Sequence, residues 1–505
     1  MMTLERLRSL NRGSAVVSLD RTEIGFNELR EKIVDRIKQK RIEKSMDTKD
    51  YSGIVHEVID SYLLEKQPQV TGYVKDGFLL ETKLKNDLAN SILSWGKLTE
   101  ARNNPMYREI QINNSAIFVD KTWGYELLTD EQGNVIVWEN PDEAFNFIQN
   151  TLIFDGKRLQ ADYPLVNAMS EDGFRISATH PVVYGPHPSD PHTKWPTATY
   201  RKTNDLKFTF EDYIRRGSAT HLHLQALDIF AEALIGYVTM GITSSGKSTW
   251  LDYYAGGFPH RKRPIAIQMP TEIFPMIIED GKIVNNFVSW QVDPNADPNS
   301  PYSATQNNLL NHNLRNNSDI VLLGEIRSSE EFGGAARGGN MGNEFSTSLH
   351  SESVLRGCNR FALELVSAMG IDMEDAKELT GDLLTIASSC TRLGDGTRKM
   401  MELCEVECYD RESKEFKIRY LYKFNVSKVV DGEDGLVDIY GEYRKYNRIS
   451  DRLKDKLLIA GIKEERMGDI IVEPKDPING DFIATAIGRK GFEEDYINKV
   501  LNGGV

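Results

Sequence analysis

The sequence predicts an α/β protein of several domains, and three observations predict it. Strand-like and helix-like segments alternate over residues 216–445, as in a domain built on a largely parallel sheet. Within that stretch, Gly241-Ile242-Thr243-Ser244-Ser245-Gly246-Lys247-Ser248-Thr249 fits a phosphate-loop pattern at every fixed position, between a β-prone LIGYVTM and a helix-competent STWLDYYAGG. Ahead of it, residues 20–100 carry apolar side chains at the three- and four-residue spacing of amphipathic helices.

The elements follow in order. FNELREKIVDRIKQKRIEK and YSGIVHEVIDSYLLEK are expected as helices, the basic run RIKQKRIEK forming a solvated face or a contact with membrane or partner. YREIQINNSAIFVDK alternates like two strands around an Asn-Asn turn. A helix is expected from about Asn140-Pro141 through NPDEAFNFIQNTLIFDGK, with strands in GFRISATHPVVYG and ATYRK. YGPHPSDPHTKWPT holds four prolines and is expected as a loop or hairpin tip. The last sixty residues show one helical segment, SDRLKDKLLIAGI, and then a polar tail without a motif.

Composition narrows the class. At 505 residues, 40 % apolar and 27 % charged, the chain resembles a soluble multidomain protein. A net charge of −14 argues against nonspecific attraction to DNA or anionic lipid, and nucleic acid is not expected as a direct ligand. Four cysteines (358, 390, 404 and 408) do not make a disulfide framework. Cys404 and Cys408, four apart, are either half a metal site or two thiols on one face of a strand. MMTLERLRSLNRG lacks the apolar core of a signal peptide, and no run approaches eighteen apolar residues. A cytoplasmic protein is therefore expected, with any membrane contact peripheral or through a partner.

The phosphate loop carries the clearest chemistry. Its glycines let successive N–H groups turn inward onto phosphate oxygens, and the following helix offers its positive end. Lys247 is expected on the β- and γ-phosphates and the Ser248 hydroxyl on Mg²⁺. Ser318-Asp319-IVLL-Gly324-Glu325-Ile326-Arg327 reads as a doubly buried strand ending in an acid at the sheet edge where ligands sit, which places Glu325 near Mg²⁺ or its waters. Glu272, after the strand-like PIAIQM, is a candidate to polarise the attacking water. His350, in STSLH, is either a structural histidine or a γ-phosphate sensor.

These four elements, in this order, resemble the type II/type IV secretion ATPase superfamily, and are similar to the Tad/Flp pilus-assembly and conjugation-system traffic ATPases within it. Gly241–Thr249 looks like the Walker A loop, LLGEIRSSEEF like the Walker B element, and STSLHSES like the His box with Ser348 where Thr is usual. WGKLTEARNNPMYREIQINN, RLQADYPLVNAMSEDGFRISA, TATYRK, TRLGDGTRKMMELCEV and NRISDRLKDKLLIAGI are also similar to family segments, so the resemblance covers roughly residues 80 to 460. It implies that Arg175, Arg201, Arg315 and Arg327 are candidate phosphate-facing arginines. It departs at the Asp box, usually Glu-Asp-Pro-x-Glu, where this chain has Gln268-Met269-Pro270-Thr271-Glu272, and at the degraded GGNMGNEF before the His box. Loss of the leading acidic pair implies slow or differently organised turnover.

The resemblance further implies a RecA-like ATPase domain at 216–445, preceded by a helical extension at 1–100, a PAS-like α/β domain at 101–205 and a linker at 206–215, with a C-terminal helix and polar tail at 446–505. The implied function is a hexameric ATPase using ATP and Mg²⁺, docked on an inner-membrane platform protein of a secretion, pilus or conjugation machine. Two alternatives stay open at this point: a RecA-like nucleic-acid motor, and a nucleotide-gated ring that does not hydrolyse.

Overall fold

The computed structural model describes residues 23–44 and 51–502 apart from 76–77, 94, 105, 122–123, 153–154, 156, 171–172, 186–189, 191, 203–207, 270, 274, 280–281, 294–295, 298–299, 301, 341, 343 and 433–434. The first residues of the expected N-terminal extension, much of the proline-rich loop, the start of the expected linker, Pro270 of the altered Asp box and two residues before the His box therefore lie outside the described residues. The chain divides into two compact units, 1–203 and 204–505.

The first unit opens with helices α1 (Phe26–Lys44), α2 (Tyr51–Lys66) and α3 (Glu81–Leu93). Leu29, Ile33 and Ile37 recur every four residues on α1 and are fully buried with Val55, Ile59, Leu84 and Leu88. Burial of each such side chain contributes about 1.5–3 kcal/mol, which is what holds three otherwise marginal helices together. A six-stranded antiparallel sheet follows, built from β1 (Glu109–Asn113), β2 (Ala116–Lys121), β3 (Gly124–Leu127), β4 (Leu165–Met169), β5 (Phe174–Thr179) and β6 (Thr197–Lys202) in the order β3-β2-β1-β6-β5-β4. Asn114, at φ 60°, makes the turn between β1 and β2. Helix α4 (Pro141–Leu152) starts at the expected Asn-Pro step, with the Asn140 side chain accepting from the Glu143 N–H. Its Ala144, Ile148 and Leu152 pack on Ile110, Ile112, Ile176 and Tyr200 of the sheet.

In the second unit, residues 210–215 of the segment read as a linker form α5 (Phe210–Arg215). Thr209 and Asp212 make a reciprocal capping box there, enough to fix a short helix where flexibility is expected. After α6 (His221–Glu232) come β7 (Tyr237–Gly241), α7 (Lys247–Gly256), β8 (Pro264–Gln268), β9 (Val288–Gln291), α8 (Gln306–Asn313), β10 (Ile320–Leu323), α9 (Ser329–Asn340), β11 (Glu344–Leu349), α10 (Val354–Met369), α11 (Met373–Leu383) and β12 (Ile386–Arg392). Then β13 (Arg398–Asp410), β14 (Glu415–Asp431) and β15 (Val437–Lys445) run as a meander, followed by α12 (Asp451–Ile459), β16 (Asp481–Ile487) and α13 (Glu494–Leu501).

One ten-stranded sheet joins these strands in the order β9-β8-β10-β11-β7-β12-β13-β14-β15-β16. The first six pair in parallel, and the remaining four add antiparallel, so the sheet is mixed rather than largely parallel. The physical cause is connection length. Short turns after β12, β13 and β14 permit only antiparallel return, whereas the earlier strands are separated by helices. The expected polar tail supplies β16, which extends this sheet, and α13.

Each face of the parallel half has its own core. On β10, Ile320 and Leu322 join Tyr237, Trp250 and Leu251 on one face, while Val321 and Leu323 join Val238, Phe332 and Phe361 on the other. That two-sided burial is why IVLL reads as an unbroken apolar run instead of an alternating one. Because these strands run parallel, their C-terminal ends share one edge, where the phosphate loop lies.

Candidate active site

The phosphate loop leaves β7 at Gly241 and enters α7 at Lys247. A Cβ on Gly241 would overlap the Ser245 hydroxyl and lie 2.5 Å from the Cys390 carbonyl oxygen, so only glycine fits there. Gly246 has φ 98° and Ser244 φ 63°, the left-handed steps that curl the loop. Ile242, Thr243 and Ser244 are exposed, while Ser245 is buried against β12, its Oγ 3.4 Å from Cys390 Sγ. Thr249 lies one turn into α7, where its carbonyl accepts from the Tyr213 hydroxyl at 3.1 Å.

Lys247 is buried, and its Nζ donates to the Ile242 carbonyl at 3.0 Å. Burial pushes the ammonium below the usual lysine range, and the Glu325 carboxylate acts in the opposite sense. The same Nζ lies 3.5 Å from His350 Nδ1. Burial first, then the Lys247 charge, lowers the His350 pKa below its ordinary value, so the ring is neutral at neutral pH. With Nδ1 facing a donor, the ring proton is assigned to Nε2, 2.9 Å from Glu325 Oε1 but off the line of a hydrogen bond.

Glu325 follows β10 at the same sheet edge. Its Oε2 accepts from Arg327 Nε at 2.9 Å and Nη2 at 2.5 Å, and this contact raises the Arg327 pKa. The chain turns into α9 because Glu331 accepts from the Arg327 and Ser328 N–H groups at 2.6 and 3.0 Å, the return half of a capping box. Ser348, on neighbouring β11, donates to the Gly324 carbonyl at 2.8 Å and so ties the His box to the Walker B turn. After β8, Glu272 accepts from the Ser248 hydroxyl at 2.6 Å.

The structure thus gathers Lys247, Ser248, Glu272, Glu325, Arg327 and His350 into one cluster. It does not bring Arg315 there. That residue is exposed in the turn before β10, while the phosphate loop and Glu325 lie at the strands' C-terminal ends. Arg175 and Arg201 belong to the first unit, where they face each other across β5 and β6. Arg201 Nε meets Glu109 Oε2 at 2.9 Å. Burial alone would raise the Glu109 pKa, but hydrogen bonds from Gln111 and Tyr125 together with the Arg201 charge bring it below the usual value.

Two arginines were not singled out as functional by sequence reasoning, and Gln268 was noted there only as a departure from the Asp box. Arg398, on β13, donates from Nε to the Ser244 carbonyl at 2.8 Å. Arg360, on α10, holds the His350 carbonyl. Gln268 is buried beside the Glu272 loop. Arg398 lies in a segment similar to the family, but nothing in the local pattern of either arginine points to the group it touches.

Among the described residues no three His, Cys, Asp or Glu side chains form a protein-only metal cage, and all four cysteines are free thiols. Mg²⁺ does not require such a cage, because it is held by one or two protein oxygens and by substrate phosphates. Ser248 and the nearby carboxylates supply donors of that kind. Among the described residues no helix is long and apolar enough to cross a membrane.

A RecA-like α/β sheet with a phosphate loop after β7 and an acid at the same edge after β10, with β11 between the two strands, defines a P-loop ATPase. The chain belongs to the type II/IV secretion system protein family, whose model matches residues 157–430, more than half of its length. It is an ATP-hydrolysing enzyme of the secretion and pilus-assembly superfamily. Among solved structures it is similar to the VirB11 ATPase of the Brucella suis type IV secretion system, with 20 % identity over 62 % of this chain and 97 % of that one and a TM-score of 0.30. It is also similar to the Legionella pneumophila ATPase DotB, with 14 % identity over 81 % and 95 % of the two chains and a TM-score of 0.42. The pilus retraction motor PilT matches with 14 % identity over 76 % and 98 % and a TM-score of 0.42. No curated protein matches the sequence.

Proposed function

We propose that this ATPase works as a homohexameric motor, cytoplasmic and peripheral to the inner face of the cell membrane, that drives an inner-membrane platform protein of a secretion, pilus or conjugation machine. The first unit, in this reading, contains the family's PAS-like domain, and Arg175 and Arg201 are its phosphate-facing arginines. The observation that carries the catalytic part is the convergence of Lys247, Ser248, Glu272 and Glu325 on the phosphate loop.

The residue roles follow from chemistry. The loop amides from Gly241 to Thr249 and the Lys247 ammonium take the phosphates, Lys247 exchanging the Ile242 carbonyl for β- and γ-phosphate oxygens. Once released from Glu272, the Ser248 hydroxyl would hold Mg²⁺, and Glu325 would order the waters around that ion. The chemistry that Mg²⁺ would supply there is neutralisation of phosphate charge. Glu272, freed from Ser248, accepts a proton from the attacking water. His350 and Arg327 sit beside Glu325 to register the γ-phosphate, and Arg315, being away from this cluster, acts on nucleotide only from a neighbouring copy in the ring.

The test combines turnover with assembly. Wild type should hydrolyse ATP and sediment as a hexamer with Mg·ATP, while Lys247→Ala should lose about 100-fold or more in kcat/KM. Wild-type turnover by Lys247→Ala would remove the catalytic assignment. A monomer at all nucleotide concentrations would remove the ring. Stimulation of turnover by DNA in a salt-dependent way would favour a nucleic-acid motor instead.

A further inference from the structure

Gln268 stands where the resemblance leads one to expect an acid, and its surroundings explain why an amide is there. The residue ends β8 with 1 % of its surface exposed. Its Oε1 accepts from two successive N–H groups, Glu272 at 3.1 Å and Ile273 at 3.0 Å. Its Nε2 donates to the Ile273 carbonyl at 2.9 Å and to Ser289 Oγ on β9 at 3.1 Å. Every polar valence that a carboxamide uses in such a site is therefore occupied. An ionised carboxylate would keep the two accepted bonds but set an oxygen against the Ile273 carbonyl, leaving a buried acceptor without a donor.

The bonds have a direction of consequence. They fold the chain after β8 back on itself, so that the peptide N–H groups of residues 272 and 273 point at the end of their own strand. That orientation puts the Glu272 carboxylate on Ser248 Oγ, 2.6 Å away at the start of α7. Gln268 also abuts the second acidic turn, since a Cβ on Gly324 would come within 3.0 Å of Gln268 Cβ. One side chain thus braces the loop that carries Glu272 and packs against the turn that carries Glu325.

We propose that Gln268 is a positioning residue for ATP hydrolysis: by gripping the backbone of Glu272 and Ile273 it sets the Glu272 carboxylate against the phosphate loop. It touches no reacting atom. The altered Asp box, expected from sequence to give slow or differently organised turnover, is on this account a working variant in which an amide-to-backbone clamp does the placing. The proposal rests on the role given to Glu272 under the proposed function.

The test uses the purified full-length protein, with steady-state ATP turnover and calorimetric binding of Mg·ADP for Gln268→Ala, Gln268→Glu, Glu272→Gln and the double variant Gln268→Ala/Glu272→Gln. Gln268→Ala should lower kcat about 10- to 100-fold while KM and Mg·ADP affinity stay within about 3-fold. Gln268→Glu, which keeps the accepted bonds and loses the donated ones, should fall between it and wild type. In the Glu272→Gln background, Gln268→Ala should change kcat by less than about 2-fold, because the group it positions is already gone. A wild-type rate in Gln268→Ala, or its full effect persisting in the Glu272→Gln background, overturns the proposal. If Gln268→Ala does not fold, a wild-type rate in Gln268→Glu overturns it equally. A wild-type rate in Glu272→Gln overturns the Glu272 role itself, and the clamp's catalytic meaning with it.

Discussion

The Ser248 hydroxyl donates to the Glu272 carboxylate across 2.6 Å, joining the first turn of α7 to the loop after β8. The contact sets a metal-ligand candidate and a base candidate in direct competition for one hydrogen bond, so the two must part before either works. Glu272→Gln should therefore lower kcat about 100-fold or more while leaving Mg·ADP binding nearly intact. Ser248→Ala should instead weaken the dependence of nucleotide affinity on Mg²⁺. Single-turnover kinetics and calorimetry separate the two, and a shared loss of affinity in both variants would contradict the division of roles.

Arg398 holds the phosphate loop from β13 through the Ser244 carbonyl, at a serine with φ 63°. A left-handed non-glycine residue needs such outside support. Arg398→Ala should weaken Mg·ADP binding about 10-fold, the equivalent of one charge-assisted hydrogen bond. Arg398→Lys should recover part of it. Unchanged affinity in Arg398→Ala would mean that the loop keeps its shape unaided.

Gly241 offers no room for a side chain, with the Cys390 carbonyl 2.5 Å from a would-be Cβ. Gly241→Ala should cost about 1–3 kcal/mol of stability by overpacking, seen as a lower urea midpoint, together with loss of nucleotide binding. A fully stable, nucleotide-binding Gly241→Ala protein would show that β7 and β12 can separate at little cost.

His223, fully buried on α6, is pulled down to a pKa of about 3 by burial and then by His221. Its Nδ1 pairs with Thr220 Oγ1 at 2.8 Å, and its Nε2 has no hydrogen-bond partner among the described residues. The folded pKa lies below the unfolded one, so the unfolded chain binds the extra proton as pH falls below about 6.5. Stability should therefore drop from pH 7 to pH 5, and His223→Gln should remove about 2 kcal/mol of that drop in denaturant titrations. An identical pH dependence in wild type and variant would show that the ring is protonated in the fold.

Much of this molecule is legible in its letters because the cues are local. The i, i+4 spacing of Leu29, Ile33 and Ile37 specifies a helix face, and Asn140-Pro141 marks a helix start. IVLL signals a strand covered on both sides, and the glycines of 241–249 announce a backbone that must bend around phosphate. The antiparallel extension of the sheet was less legible. An alternating β14 in isolation does not say which neighbour it pairs with, and the 446–505 segment hid β16 because its partner, β15, is close only in the folded chain.

By itself the sequence determined the phosphate loop, its lysine and serine, and the acids at the ends of β8 and β10, since each follows from residue type within a single turn of chain. Tertiary structure alone decided which distant groups attend them: Arg398 on the Ser244 carbonyl, Arg360 on His350, Gln268 on the Glu272 loop, and Arg315 left away from the cluster. The reason is that a hydrogen bond is selected by separation in space and by direction. Residues 398 and 244 become neighbours only when β13 pairs beside β12 and β12 beside β7, an order that spacing along the chain does not encode.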